Sequence, residues 1–70
     1  MKEVIKNSVH TLRIENGMTQ EAFAKQIGVT RQTVISIEKG NYTPSVLLAL
    51  KIASLFKLPV EDIFSISYEK

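Results

Sequence analysis

Between Thr19 and Gly40 the sequence carries two helical patterns, QEAFAKQI and RQTVISIEK, joined only by Gly28-Val29-Thr30. So short a joint leaves few ways to arrange what it joins. Thr19 and Thr30 are good N-cap residues, because a threonine hydroxyl accepts a hydrogen bond from an N–H group that a helix start leaves unpaired. Gly28 and Gly40 are good stops, since glycine enters the left-handed conformation that ends a helix without strain. Helices this short are marginal alone in water, so each must bury an apolar stripe. The first offers Phe23, Ala24 and Ile27, the second Val34 and Ile37. A short turn containing glycine crosses two helices at a steep angle. The small Ala24 permits close approach, and Val29 and Val34 fill the angle. A helix-turn-helix over about residues 19–39 is the expectation.

The flanking patterns are also helical. Val9, Leu12 and Ile14 suggest a first helix from about Asn7 to Asn16, capped by Asn7 or Ser8 and stopped by Gly17. After the polar turn Asn41–Ser45, VLLALKIASLF has the dense apolar pattern of the most buried helix, capped by Ser45, or by Thr43 if it begins at Pro44. Leu58-Pro59 restarts a fifth, short helix over Val60 to Ile63 or Phe64. The period then changes. Phe64 to Tyr68 alternates apolar and polar, the mark of a strand at about residues 64–68, and Met1 to Ile5 holds a second short candidate, KEVI. A two-stranded ribbon is marginal alone, so these strands need each other plus the helices, or a second subunit. The expected fold is all-α, five helices with a short terminal antiparallel β-ribbon, in one domain over residues 1–70.

Composition excludes more than it selects. A core of 70 residues supplies only about 3–5 kcal/mol, which makes oligomerisation a reasonable expectation. There is no cysteine, and the one histidine, His10, has no second soft ligand, so no metal is expected and His10 reads as an ordinary surface imidazole. Met18 reads as packing beside the second helix. No apolar run reaches the length of a membrane span and MKEVIKN lacks the apolar core of a signal peptide, which points to a cytoplasmic protein without a membrane partner. Glu61 and Asp62 are the only adjacent carboxylates and would point about 100° apart on a helix. With no catalytic set or phosphate-cradling loop, neither an enzyme nor a cofactor or small-molecule ligand is expected. A net charge of +2 permits nucleic-acid binding without arguing for it.

The run TQEAFAKQIGVTRQTVISIEKGNYTPSVLLALKIASLFKLPVEDIF resembles the Cro/cI-type helix-turn-helix family, the xenobiotic-response-element group of bacterial and phage regulators, from roughly Asn7 to Phe64. The likeness lies in Gln20, Ala24, Gly28, Thr30, Glu38, Pro44-Ser45 and the closing Pro59-Val60-Glu61-Asp62-Ile63-Phe64. Within that group the chain looks like the short dimeric repressors, such as the cytolysin-operon regulator, that add a small ribbon to five helices. The resemblance implies a lambda-repressor-like domain that binds double-stranded operator DNA. It implies that Thr30, Arg31, Gln32 and Ser36 read bases, that Gln20, Lys39, Asn41 and Tyr42 hold phosphates, and that Arg13 and Glu38 form a partly buried ion pair.

Residue chemistry adds detail. If the Arg31–Lys39 helix enters the major groove, Gln32 can pair with adenine N6 and N7, and Ile35, which lies towards the polar side, can touch a thymine methyl. Arg31 can reach guanine or a phosphate, and both stay open. One such helix reads few base pairs, so two are needed about 34 Å apart, as in a homodimer on a palindromic site. The apolar residues left for that contact are Leu55, Leu58, Val60, Ile63, Phe64, Ile66 and Tyr68. A repressor is the expected role; an antitoxin or protein-interaction module with secondary DNA binding is the alternative.

Overall fold

The computed structural model describes residues 2–69. The chain runs β1 (Lys2–Asn7), α1 (Val9–Glu15), α2 (Gln20–Ile27), α3 (Arg31–Glu38), α4 (Val46–Phe56), a 3-10 turn (Val60–Asp62) and β2 (Phe64–Glu69). Three of the four helices start on a side-chain cap. Thr19 Oγ1 accepts from the Ala22 N–H at 3.0 Å, Thr30 Oγ1 from Thr33 at 3.2 Å and Ser45 Oγ from Leu48 at 3.2 Å. Ser45, not Thr43, therefore opens α4. Gly28 takes φ 76° and its N–H bonds the Ala24 carbonyl, turning the chain between α2 and α3 as only glycine does easily.

α1 takes Ser8, one of its two expected caps, and ends before Gly17, and it departs from expectation at Asn7 and Ile14. Asn7 is the last residue of β1 and pairs with Phe64, so the helix begins at Val9. Asn7 still serves it, because its Oδ1 accepts from the Val9 N–H at 3.1 Å. Its Nδ2 donates to the Ile37 carbonyl at 3.0 Å, so one side chain joins the ribbon, the start of α1 and the end of α3. Ile14 is exposed, because the inward position of that turn belongs to the buried Arg13.

The expected fifth helix is a single 3-10 turn, with Asp62 N–H to Pro59 and Ile63 N–H to Val60, both at 3.0 Å. Pro59 is extended at one end and Phe64 must be extended at the other to pair with Asn7, which leaves too few residues for an α-turn. The two strands are antiparallel, from Lys2 opposite Glu69 to Asn7 opposite Phe64. Both are longer than their sequence signals. Met1, counted in the N-terminal candidate, lies outside the described residues.

The core gathers Val9, Phe23, Ala24, Ile27, Val34, Ile37, Leu48, Ile52, Ala53 and Ile63, with the Phe23 and Phe56 rings stacked at 5.5 Å. Two expectations change here. Ile63, assigned to a subunit interface, is 3% exposed and packs inside the chain. α4 is not buried all round: it buries Leu48, Ile52 and Ala53, and turns Val46 (77% exposed), Leu47 (66%) and Leu50 outward. No helix among the described residues is long and apolar enough to cross a membrane.

Candidate nucleic-acid interface

With Val34 and Ile37 buried, the opposite side of α3 faces out. Thr30, Arg31 and Gln32 are exposed, while Thr33, Ile35 and Ser36 are half-buried. Gln32, Thr33 and Ser36 share a shallow depression with Asn41 and Tyr42. Gln32 and Ser36, assigned to bases, thus share one surface with Asn41 and Tyr42, assigned to phosphates, while Thr30, Arg31, Ile35, Gln20 and Lys39 lie outside that depression. Thr30 also acts within the fold, since its hydroxyl caps α3 and lies 3.1 Å from that of Thr33. The side chains of Arg31 and Lys39 make no hydrogen bond or ion pair with any described residue, which leaves both cations available to an anion. Ile35 is half-buried and does not line this depression.

Behind this surface lies a polar knot. Arg13 Nε donates to Glu38 Oε2 at 2.7 Å, and Nη2 to Oε1 at 3.3 Å; Nη1 donates to the Met18 carbonyl at 2.8 Å. Both side chains are nearly buried, at 7% and 6% exposure. Glu38 Oε1 also accepts from Gln20 Nε2 at 3.2 Å and contacts His10 Nδ1 at 3.0 Å. Glu38 therefore ties α1, α2 and α3 together. Burial opposes its charge, but hydrogen bonds from Arg13, His10 and Gln20, with the Arg13 charge, outweigh burial and hold the carboxyl below its ordinary value. Gln20, assigned to a phosphate, is half-buried at the first position of α2 and held in place by this bond.

His10, expected as an ordinary surface imidazole, is exposed, yet it contacts Glu38, 28 positions away, as well as Arg13 on its own helix. The residues assigned to an interface divide. Ile66 and Tyr68 are exposed and Leu58 borderline, whereas Leu55, Val60 and Phe64 pack against the core and Ile63 within it. Val46, Leu47 and Leu50 were missed as exposed apolar residues. The available signal was an excess: α4 has more apolar positions than one buried face can use.

Two short helices crossed at a left-handed glycine, with the second presenting a polar outer face, define a helix-turn-helix protein. The chain belongs to the helix-turn-helix family HTH_3, of the xenobiotic-response-element group, which it matches over residues 9–63. It is 51% identical over 65 residues to the uncharacterized HTH-type transcriptional regulator YgzD of Bacillus subtilis, covering 93% of this chain and 98% of that one. It is 30% identical over 59 residues to the cryptic phage CTXphi transcriptional repressor RstR of Vibrio cholerae, covering 84% of this chain and 53% of RstR. Among solved structures it resembles the restriction-modification controller protein C.AhdI of Aeromonas hydrophila, with a TM-score of 0.70, 28% identity and coverage of 77% and 82%. The family is one of DNA-binding transcription regulators.

Proposed function

We propose that this chain binds double-stranded DNA sequence-selectively as a homodimer and represses transcription by occupying a palindromic operator. The observation that carries the reading is the shared surface of Gln32, Ser36, Asn41 and Tyr42, flanked in the chain by Arg31 and Lys39, whose side chains have no partner among the described residues. α3 lies in the major groove. Gln32 and Ser36 meet base edges, Thr30 and Arg31 bases or the adjacent backbone, and Ile35 a thymine methyl. Gln20, Lys39, Asn41 and Tyr42 hold phosphates on either side; Gln20 sits where the positive end of α2 favours an anion. Repression is the role in RstR's name, and it is carried here to a chain that spans only about half of RstR.

The homodimer is supported by unmatched apolar surface. Ile5 and Ile66 face one another across the ribbon and line a groove with Tyr42, Thr43 and Pro44, which lead directly into Val46, Leu47 and Leu50. A small protein that exposes this much apolar side chain normally covers it with a partner. The interface thus keeps Ile66, Tyr68 and Leu58, gains the start of α4, and releases Ile63. The test is binding to genomic fragments at low and moderate salt: retention of a few fragments as salt rises supports the reading, and uniform loss from all fragments contradicts it.

A further inference from the structure

His10 takes part in the Glu38 knot and yet remains open to solvent. Its side chain is 61% exposed, against 6% for Glu38. The 3.0 Å approach of Nδ1 to Glu38 Oε1 puts the hydrogen on Nδ1, because a lone pair there would face those of the carboxylate. Arg13 Nη2, 3.2 Å from the same nitrogen, then directs its hydrogen to Glu38 Oε1 at 3.3 Å. The ring is thereby fixed through Nδ1, and Nε2 has no partner among the described residues. Gln20 Nε2 donates to the same Glu38 oxygen, so His10 and Gln20 stand side by side on it. With Nδ1–H fixed, the neutral ring presents a lone pair at Nε2, which a phosphate oxygen repels. The imidazolium presents an N–H there, which the phosphate accepts.

We infer that His10 contacts the DNA backbone beside Gln20, donating from Nε2 to a phosphate in its imidazolium form. This rests on the DNA-binding reading above. The charged groups facing the ring are Arg13 on its own helix and Glu38 on α3; from α2 it faces only the neutral Gln20. Lys6 and Glu69 of the ribbon and Lys39 border the groove beside Glu38. Arg13 balances Glu38 within the knot, so the charge the knot itself offers to the backbone is that of His10. DNA binding through this contact takes up a proton, so affinity falls as pH rises.

The experiment measures the Kd for a mixed-sequence duplex of about 30 base pairs, long enough for two half-sites one turn apart, at fixed low salt and at about pH 6 and about pH 8. The unaltered chain is expected to bind about tenfold more tightly at the lower pH, with His10→Gln nearly level and close to the weaker value throughout. His10→Lys, with a fixed positive charge, is expected to bind tightly at both. Other groups that titrate in the window are common to all three proteins and cancel in the comparison. Parallel pH profiles for the unaltered chain and His10→Gln, with binding otherwise present, overturn the inference alone. Absence of duplex binding by the unaltered chain at either pH overturns the DNA reading beneath it.

Discussion

Glu38 is the residue on which the most geometry converges. Its carboxylate receives Arg13, Gln20 and His10 from two other helices while almost excluded from water. Arg13→Ala would strand that charge and should destabilise the chain by about 3–5 kcal/mol. Glu38→Ala strands the guanidinium in turn. The double variant should be milder than the sum of the two, and a coupling energy near zero in a double-mutant cycle of denaturant unfolding would mean the pair does not act as a unit. The same site sets an acid limit. Glu38 has its carboxyl value lowered in the fold from an ordinary 4.5, so its contribution to stability is present above that value and is lost as pH falls through the lowered one. Melting temperature in the native chain should drop over that acid window more than in Glu38→Gln; equal losses would contradict the assignment.

At the scale of elements, the ribbon's attachment to α3 runs through Asn7. Asn7→Ala removes both of its side-chain bonds and is expected to lower stability by about 1–3 kcal/mol. Asn7→Asp keeps an acceptor for the Val9 N–H but loses the donor to Ile37, so hydrogen exchange should rise at the end of α3 and not at the start of α1. Protection lost equally at both would contradict this division of labour. These elements also mark what the sequence made legible. Helix starts at Thr19, Thr30 and Ser45 and the turn at Gly28 could be read because capping is settled within three or four residues. The double role of Asn7 could not, since one of its bonds reaches 30 positions along the chain. Proline with a short apolar run reads equally as a fifth helix or as a 3-10 turn, and only the pairing of Phe64 with Asn7 decides. In α4 nearly every position is apolar, so periodicity could not tell the face on the core from the face left open. The open face of α4 was therefore not foreseen, and Ile63, outside α4, was expected at an interface although it packs in the core.

In the whole molecule, the helix proposed to read a groove is joined to the exposed apolar surface that the proposed dimer covers. Leu47→Asp, at an exposed position, should leave the fold intact and convert a dimer to a monomer in sedimentation, with DNA binding weakened to that of a half-site. Ile63→Asp should instead unfold the chain, because it places a charge in the core. A folded monomer from Ile63→Asp together with an unaltered dimer from Leu47→Asp would reverse the two assignments. The proposed base-reading side chains rest on the likeness to regulators and on the surface that Gln32 and Ser36 share with Asn41 and Tyr42. Gln32→Ala and Lys39→Ala separate the two kinds of contact, since a base contact carries sequence information and a phosphate contact carries charge. The most direct test is the binding of both variants to a panel of duplexes selected by the unaltered chain, with single base-pair changes, over a range of salt. Gln32→Ala should lose about 1–3 kcal/mol on the selected sequence and relax preference at one or two base pairs, while Lys39→Ala weakens all sequences alike and reduces the salt slope by about one counterion. Unchanged selectivity in Gln32→Ala would contradict the placement of α3 in the major groove.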